Sequence, residues 1–275
     1  MSMQYEIDQF QEIIWTYYRE NARDLPWRHA ELDGTYSDYK IFVSEIMLQQ
    51  TQVNRVIPKY VSFVRTFPTF AALATAPLAA VIREWVGLGY NRRAQYIQQA
   101  ANIVVAEHDG KLPSNSSELL SLPGVGRNTA GALRVYAFNQ PEVFVETNIR
   151  TVFIHHFFSG AEKVSDAELL PLIHQTLDIR RPREWYWALM DYGTMLKNSL
   201  GNSSRRSAHY VRQASFQGSV RQLRGAIIRM LSDGPMKYSD IIAHLDDSRA
   251  AAVIIALEKE GLICQKDAFM FLSEA

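Results

Sequence analysis

The run Ser121-Leu122-Pro123-Gly124-Val125-Gly126-Arg127-Asn128-Thr129-Ala130-Gly131 restricts the fold of this chain more than any other stretch. Leu119, Leu120 and Leu122 make an apolar helical segment that Pro123 brings to an end. Two glycines then turn the chain within four residues, and a second helix is predicted from Arg127. Gly124 and Gly126 permit positive φ and place no side chain in the way. The first-turn N–H groups of the second helix have no acceptor within it, and the helix dipole favours an anion there. Such a turn grips a phosphate and fixes register on a strand without reading bases. A tight turn between two helices is also an ordinary packing solution, so the turn by itself leaves both uses open.

Composition narrows the rest. A chain of 275 residues with 47% hydrophobic content can bury a full core and hold more than one domain. No apolar run reaches spanning length, and Met1 to Gln11 lacks a basic-then-apolar signal pattern, so a cytoplasmic, nucleoid-associated protein of bacterial type with no membrane partner is expected. The single cysteine, Cys264, excludes a disulfide framework and a cysteine-held metal cluster. The 29 basic and 29 acidic residues cancel, yet Lys197 to Ser232 carries seven basic residues and no acidic one. That one-sided block is either a solvated linker or a phosphate-facing surface.

Hydrophobic periodicity predicts amphipathic helices over 5–21, 52–66, 77–86 and 92–108, and further helices over 148–158, 165–177 and 182–197. Leu25-Pro26-Trp27-Arg28 ends the first with a rigid turn; Arg28 is a salt-bridge partner or a phosphate contact. Ser37 or Asp38 caps the next helix, in which Glu45 shares a face with Ile41 and Leu48. A carboxyl among Ile41, Ile46, Met47 and Leu48 is costly to ionise, so its pKa is expected to rise. Two readings stand: a buried glutamate satisfied by a hydrogen bond or an arginine, or a general acid held protonated near neutral pH. Gln49, Gln50 and Thr51 then offer groups suited to base edges or to a gap in a base stack, and Gly87-Leu88-Gly89-Tyr90 presents an aromatic ring on a turn. Beyond 142, an extended apolar piece delivers Glu146 just before a helix N-terminus, where a carboxylate is electrostatically welcome. His155 and His156 read as structural.

Four strings in order, LPWR, SEIMLQQTQV, GLGY and LPGVGR.TAG, closely resemble the helix-hairpin-helix base-excision DNA glycosylases, and among them the MutY-type adenine glycosylases, over roughly residues 20–195. The resemblance implies an all-α, two-subdomain fold: 1–29 with 146–215, and a helical barrel over 30–145 holding the hairpin at about 115–138, the active cleft lying between them. Residues 219–275 read as a small winged-helix-like (α+β) domain of three helices and a two-stranded hairpin, unlike the Nudix-like domain of that branch.

The same resemblance implies the roles. Glu45 is the catalytic acid, and Glu146 takes the place of the family's aspartate, with Asn148 as its supporting asparagine. Gln49, Gln50, Thr51, Tyr90, Gly124, Val125, Gly126, Asn128, Thr129, Arg28, Arg205 and Arg206 are the expected DNA contacts. Strand-nicking members carry a lysine where Asn128 stands, and an amide cannot form a Schiff base, so a monofunctional enzyme without AP lyase activity is implied. The four cysteines that hold an iron–sulfur cluster in relatives are missing after Leu196, so no cofactor and no metal is expected. The expected partner is double-stranded DNA with a lesion or mismatch, bound by a monomer. Adenine opposite guanine or 8-oxoguanine is the expected substrate; thymine, uracil or a modified pyrimidine in a mismatch is the alternative, and a non-catalytic structure-specific DNA binder is the alternative of another class.

Overall fold

A computed structural model of the chain describes residues 3–212 and 215–274; residues 213 and 214 of the basic stretch lie outside them. The described residues are mostly helical. In chain order the first helices are α1 (Met3–Asn21), α2 (Asp38–Leu48), α3 (Val53–Thr66), α4 (Phe70–Ala74), α5 (Leu78–Trp85), α6 (Arg92–Glu107) and α7 (Ser116–Ser121). There follow α8 (Arg127–Phe138), α9 (Thr147–Phe157), α10 (Asp166–Thr176), α11 (Pro182–Ser199) and α12 (Val220–Ser232). The C-terminal part holds β1 (Met236–Lys237), α13 (Tyr238–Leu245), α14 (Ala250–Lys259), β2 (Ile263–Lys266) and β3 (Phe269–Leu272). Among the described residues no helix is long and apolar enough to cross a membrane. Two compact units divide the chain. One takes Met1–Tyr36, Ser114–Leu120 and Gly126–Arg212; the other takes Ser37–Pro113, Ser121–Val125 and Gln213–Ala275.

The first unit is organised by α9 crossing α11. An ideal Cβ on Gly193 of α11 would stand 2.6 Å from the carbonyl oxygen of Asn148, so only glycine admits this approach. Phe10 of α1 packs its ring on Phe153, Phe157 and Trp185, with centroids 5.2, 5.0 and 6.1 Å away. Such aromatic pairs add roughly 0.5–1.5 kcal/mol each beyond the area they bury. Asp191, wholly buried on α11, accepts from Arg23 Nε at 2.6 Å and from both terminal nitrogens of Arg28 at 2.8 Å. The chain after α1 and the Pro26–Arg28 turn are thereby both fixed to α11 by one carboxylate. Arg183 likewise donates to the Tyr136 and Ala137 carbonyls at the end of α8, where a cation complements the helix dipole.

The second unit packs α2, α3, α5 and α6 about Phe42, Ile46, Met47, Phe63 and Trp85, all fully buried. The Ser37 side chain caps α2 by accepting from Lys40 N. Where the sequence reads as almost continuous helix from 38 to 66, the chain turns a corner: α2 stops at Leu48, Gln50 adopts a φ of 53°, and α3 starts at Val53. The same unit contains α12, α13, α14 and the sheet. Its strand order is β1-β3-β2, all antiparallel, with Met236 opposite Met270 and Ile263 opposite Leu272. The expected two-stranded hairpin is therefore a three-stranded sheet, because Met236 and Lys237 add a strand too short for alternation to reveal. Helix α4, five residues long, escapes periodicity for the same reason.

Two glycines test this packing in opposite directions. Gly193→Ala must push the Asn148 carbonyl aside and is expected to cost about 1–3 kcal/mol in urea unfolding. Gly225, inside α12 with nothing within 4 Å of an added Cβ, is expected to stabilise by about 0.5–1 kcal/mol when changed to alanine.

Candidate functional site

The hairpin turn follows from its glycines, though only one of them uses a left-handed conformation. Gly124 sits at φ 81°, with the side chain of Tyr96 3.1 Å from where its Cβ would be. Gly126 has φ −97° and ψ 178°, which any residue adopts; what it supplies is open space, since nothing lies within 4 Å of an added Cβ. It is the N-cap of α8 and has no side chain to satisfy the first-turn N–H groups. Val125 is buried and donates its N–H to Leu122 O at 3.1 Å, Asn128 is exposed, and Thr129 is half-buried.

Glu45 lies on α2 between buried Ser44 and buried Ile46 and is itself half-buried. One turn on, the Gln49 amide donates to the Gly124 carbonyl at 3.0 Å, joining the end of α2 to the hairpin turn. Gln50 is exposed at its φ of 53°. The Thr51 hydroxyl donates to Leu88 O at 3.3 Å, which brings in the third motif. In that turn Gly87, Gly89 and Tyr90 have φ of 98°, 76° and 48°, and the Tyr90 ring is exposed. Left-handed φ at a non-glycine residue costs roughly 1–3 kcal/mol, so both Gln50 and Tyr90 must be held by their surroundings.

What holds them is Arg93, a residue the motifs do not announce. Its buried guanidinium donates from one nitrogen to the carbonyls of Ile46, Met47 and Gln49 at 2.7–2.9 Å. From the other it reaches Thr51 Oγ1 at 2.9 Å and the carbonyls of Leu88 and Gly89 at 3.4 and 3.1 Å. Burial pushes its pKa down to about 10, which leaves it charged at neutral pH. A cation at the last carbonyls of α2 is favoured by the helix dipole. The signal for Arg93 was present in the sequence: it stands four residues before Ile97, on the buried stripe of α6.

Glu146 and Asn148 lie in the other unit. Glu146 is the N-cap of α9, yet its side chain makes no cap hydrogen bond. Burial pushes its carboxyl above the usual range, and the charge of Arg150 one turn on offsets this only in part. Arg150 is itself held by both oxygens of Asp166 at 2.7 Å. Desolvation thus outweighs the welcome expected at a helix N-terminus. Asn148 points its Nδ2 at Met190 Sδ, 3.8 Å away, and its Oδ1 is buried without a protein partner.

Of the basic residues expected to face phosphates, Arg205 is exposed. Arg28 is 7% exposed and committed to Asp191. Arg206 donates to the Ile154, Phe158, Ser159 and Ala161 carbonyls and so closes the end of α9. Both guanidinium groups are engaged inside the protein, a placement that lends the expected phosphate contacts no support.

Residues 43–171 match the family described as HhH-GPD superfamily base excision DNA repair protein. An adenine DNA glycosylase of Mycolicibacterium smegmatis is 30% identical over 273 residues, 92% of this chain and 92% of that protein. That of Mycobacterium tuberculosis is 33% identical over 259 residues, 86% of this chain and 83% of that protein. The human adenine DNA glycosylase is 38% identical over 195 residues, and this chain spans 36% of its length. A relative from Buchnera aphidicola, 34% identical, is spanned to 52%. Among solved structures, a thermostable thymine-DNA glycosylase superposes with a TM-score of 0.63 at 23% identity, covering 75% of this chain and 94% of that one; the likeness is one of fold.

The raised carboxyl of Glu146 has a measurable consequence. A carboxyl whose folded pKa lies above its ordinary 4.5 resists ionisation in the folded state, so stability falls as pH rises from about 4.5. Urea midpoints of wild type and Glu146→Gln at pH 4.5 and 7.5 are expected to show wild type losing ground to the variant at the higher pH. Parallel midpoints would mean that Glu146 ionises as it does in water.

Proposed function

Because the chain belongs to the HhH-GPD superfamily of base excision DNA repair proteins, we propose that it is a monofunctional DNA N-glycosylase that removes adenine mispaired with guanine or 8-oxoguanine. The observation that carries this reading lies within one unit. A half-buried carboxyl, Glu45, stands one helical turn before a corner tied both to the phosphate-gripping turn at Gly124 and to the turn that displays Tyr90. Relatives matched along most of the chain are adenine DNA glycosylases, which supports the choice of base.

The chemistry follows from the groups. The anomeric carbon cannot be reached within a duplex, so the target nucleotide must leave the stack. The hairpin turn at Gly124 holds a phosphate, and Gln50 and Tyr90 occupy the gap that extrusion opens. Glu45 as carboxylic acid gives its proton to a ring nitrogen of adenine. The glycosidic bond breaks with its electron pair passing to the base, leaving an oxocarbenium-like sugar. Water adds to that carbon, loses a proton to the carboxylate, and an abasic site remains. Glu146 keeps the role the resemblance gives it, negative charge for the developing sugar cation; a poorly solvated carboxylate favours a cation more than one in water does. Asn128, exposed at the second position of α8, has no amine to attack the sugar, which supports hydrolysis without strand nicking.

The iron–sulfur cluster that the resemblance associates with this branch does not fit the donors present. Four thiolates are needed, and the one cysteine, Cys264, lies in β2.

Glu45→Gln tests the mechanism. Excision of adenine from a mismatched duplex is expected to fall by at least about a hundredfold, the scale of general acid catalysis, with binding to an abasic-analogue duplex retained. Undiminished excision would refute it. A panel of single-lesion duplexes cleaved with alkali tests the substrate: breaks at thymine, uracil or a modified pyrimidine would replace adenine, and no breaks at any lesion would make the protein a binder.

A further inference from the structure

The Gly87–Tyr90 turn joins α5 to α6, and α3 reaches it from the side. These three helices carry two acids among them. Glu84 accepts from the Ser62 hydroxyl at 2.8 Å, and Glu107 is the last residue of α6. Basic residues gather at the turn instead. Exposed Arg55 of α3 donates from Nη2 to Gly87 O, and the Lys59 side chain, one turn along α3, passes 3.8 Å from the Cβ position of Gly87. Arg92 opens α6, is exposed, and lies 5.4 Å from the Tyr96 ring centroid. The Tyr96 side chain in turn stands 3.1 Å from where a Cβ on Gly124 would be. Positive charge therefore runs from the hairpin turn through Arg92 to Arg55, within one unit and in a chain whose total charge is zero.

Neither arginine stands where its own helix favours a cation. Arg92 is the first residue of α6 and Arg55 the third of α3, and a cation in the first turn meets the positive end of the helix dipole. Neither helix has an acidic residue in that turn to offset it. Arg93, the next residue, recovers this cost through the oxygens it clamps. Arg92 has no such return. Among the described residues no carboxylate pairs with Arg92 or with Arg55. A guanidinium set against a ring keeps its N–H donors for another partner, and the Gly87 carbonyl that Arg55 meets is uncharged. By contrast Arg224 is matched by Glu260 through both its terminal nitrogens, and Arg249 by Asp247 at 2.6 Å. Like charges drawn from two separate helices repel one another, and a polyanion laid across them turns that repulsion into binding energy.

We propose that Arg55 and Arg92 are contacts to the DNA backbone, Arg92 between the hairpin turn and the Tyr90 turn and Arg55 at the Gly87 end of the latter. This rests on the reading of the protein as a DNA glycosylase, and adds to it two phosphate contacts outside the hairpin, one from α3 and one from α6. A phosphate contact is independent of the base excised.

Fluorescence anisotropy of the full chain with an abasic-analogue duplex, titrated between about 50 and 200 mM salt, separates the outcomes. Arg55→Gln and Arg92→Gln are each expected to weaken binding several-fold at the low-salt end. Each is expected to lower the slope of log affinity against log salt by about one, and the double variant by about two. Arg55→Lys and Arg92→Lys, which keep the charge, are expected to keep the slope. Arg249→Gln, whose charge Asp247 already cancels, is the control with slope unchanged. Thermal melting of each variant accompanies the titration. If wild type binds with a steep salt dependence and the double glutamine variant matches it in slope and affinity, the inference is overturned while the glycosylase reading stands. If the lysine variants lose the slope as the glutamine variants do, the arginines act by shaping the turn and the phosphate contacts are refuted. If wild type shows no salt-dependent duplex binding, the glycosylase reading itself fails.

Discussion

One buried guanidinium governs the part of this molecule that reads as functional. Taking an arginine out of water costs several kcal/mol, and the cost is met only if its donors find good acceptors. Arg93 finds six neutral oxygens, three at the end of α2 and its corner, two in the Gly87–Tyr90 turn, and the Thr51 hydroxyl that touches both. None of these segments is regular enough to hold itself. The two exposed residues carried by them, Gln50 and Tyr90, sit at φ 53° and 48°, values that relax unless something opposes it. The clamp therefore sets the shape of the surface that Glu45 stands beside, and through Gln49 it also fixes the hairpin turn.

The other unit uses a second buried charge to the same end. Asp191 gathers Arg23 and Arg28, which pins the chain after α1 to α11, and Gly193 two residues on lets α9 come down on α11 at backbone distance. That approach fixes the start of α9, where Glu146 and Asn148 stand. The cost is visible in the same place: the Glu146 carboxyl is held above its usual range by burial, and the Asn148 oxygen is buried without a protein partner. Groups kept short of solvation in this way interact strongly with any charge that develops beside them.

Much of this was legible in the sequence, and the limits are physical. Helices with a sustained apolar stripe, such as α1, α6 and α12, were readable because burial imposes the 3.6-residue period. The glycine turn was readable because Gly124 has a conformation that other residues avoid, whereas Gly126 looked identical in sequence and plays a different part. Short pieces without a period, α4 and β1, were not readable. Arginines were the hardest. Arg28, Arg93 and Arg206 each find partners more than forty residues away in sequence, so although spacing to Ile97 marks Arg93 as inward, nothing in the sequence says what any of the three binds. The apolar neighbours of Glu45 were visible in sequence, and the structure leaves that residue half-buried; the burial that raises the Glu146 carboxyl had no such signal.

The account depends most on Arg93 acting as a clamp across two turns, and amide hydrogen exchange on Arg93→Lys measures that directly. Lysine keeps the charge but lacks the fork that spans both sets of carbonyls. The account predicts that amides at 49–51 and 88–90 exchange at least about tenfold faster than in wild type, while those of α11 and α14 keep their protection. Unchanged exchange at both turns, or loss of protection spread evenly through the chain, would contradict it.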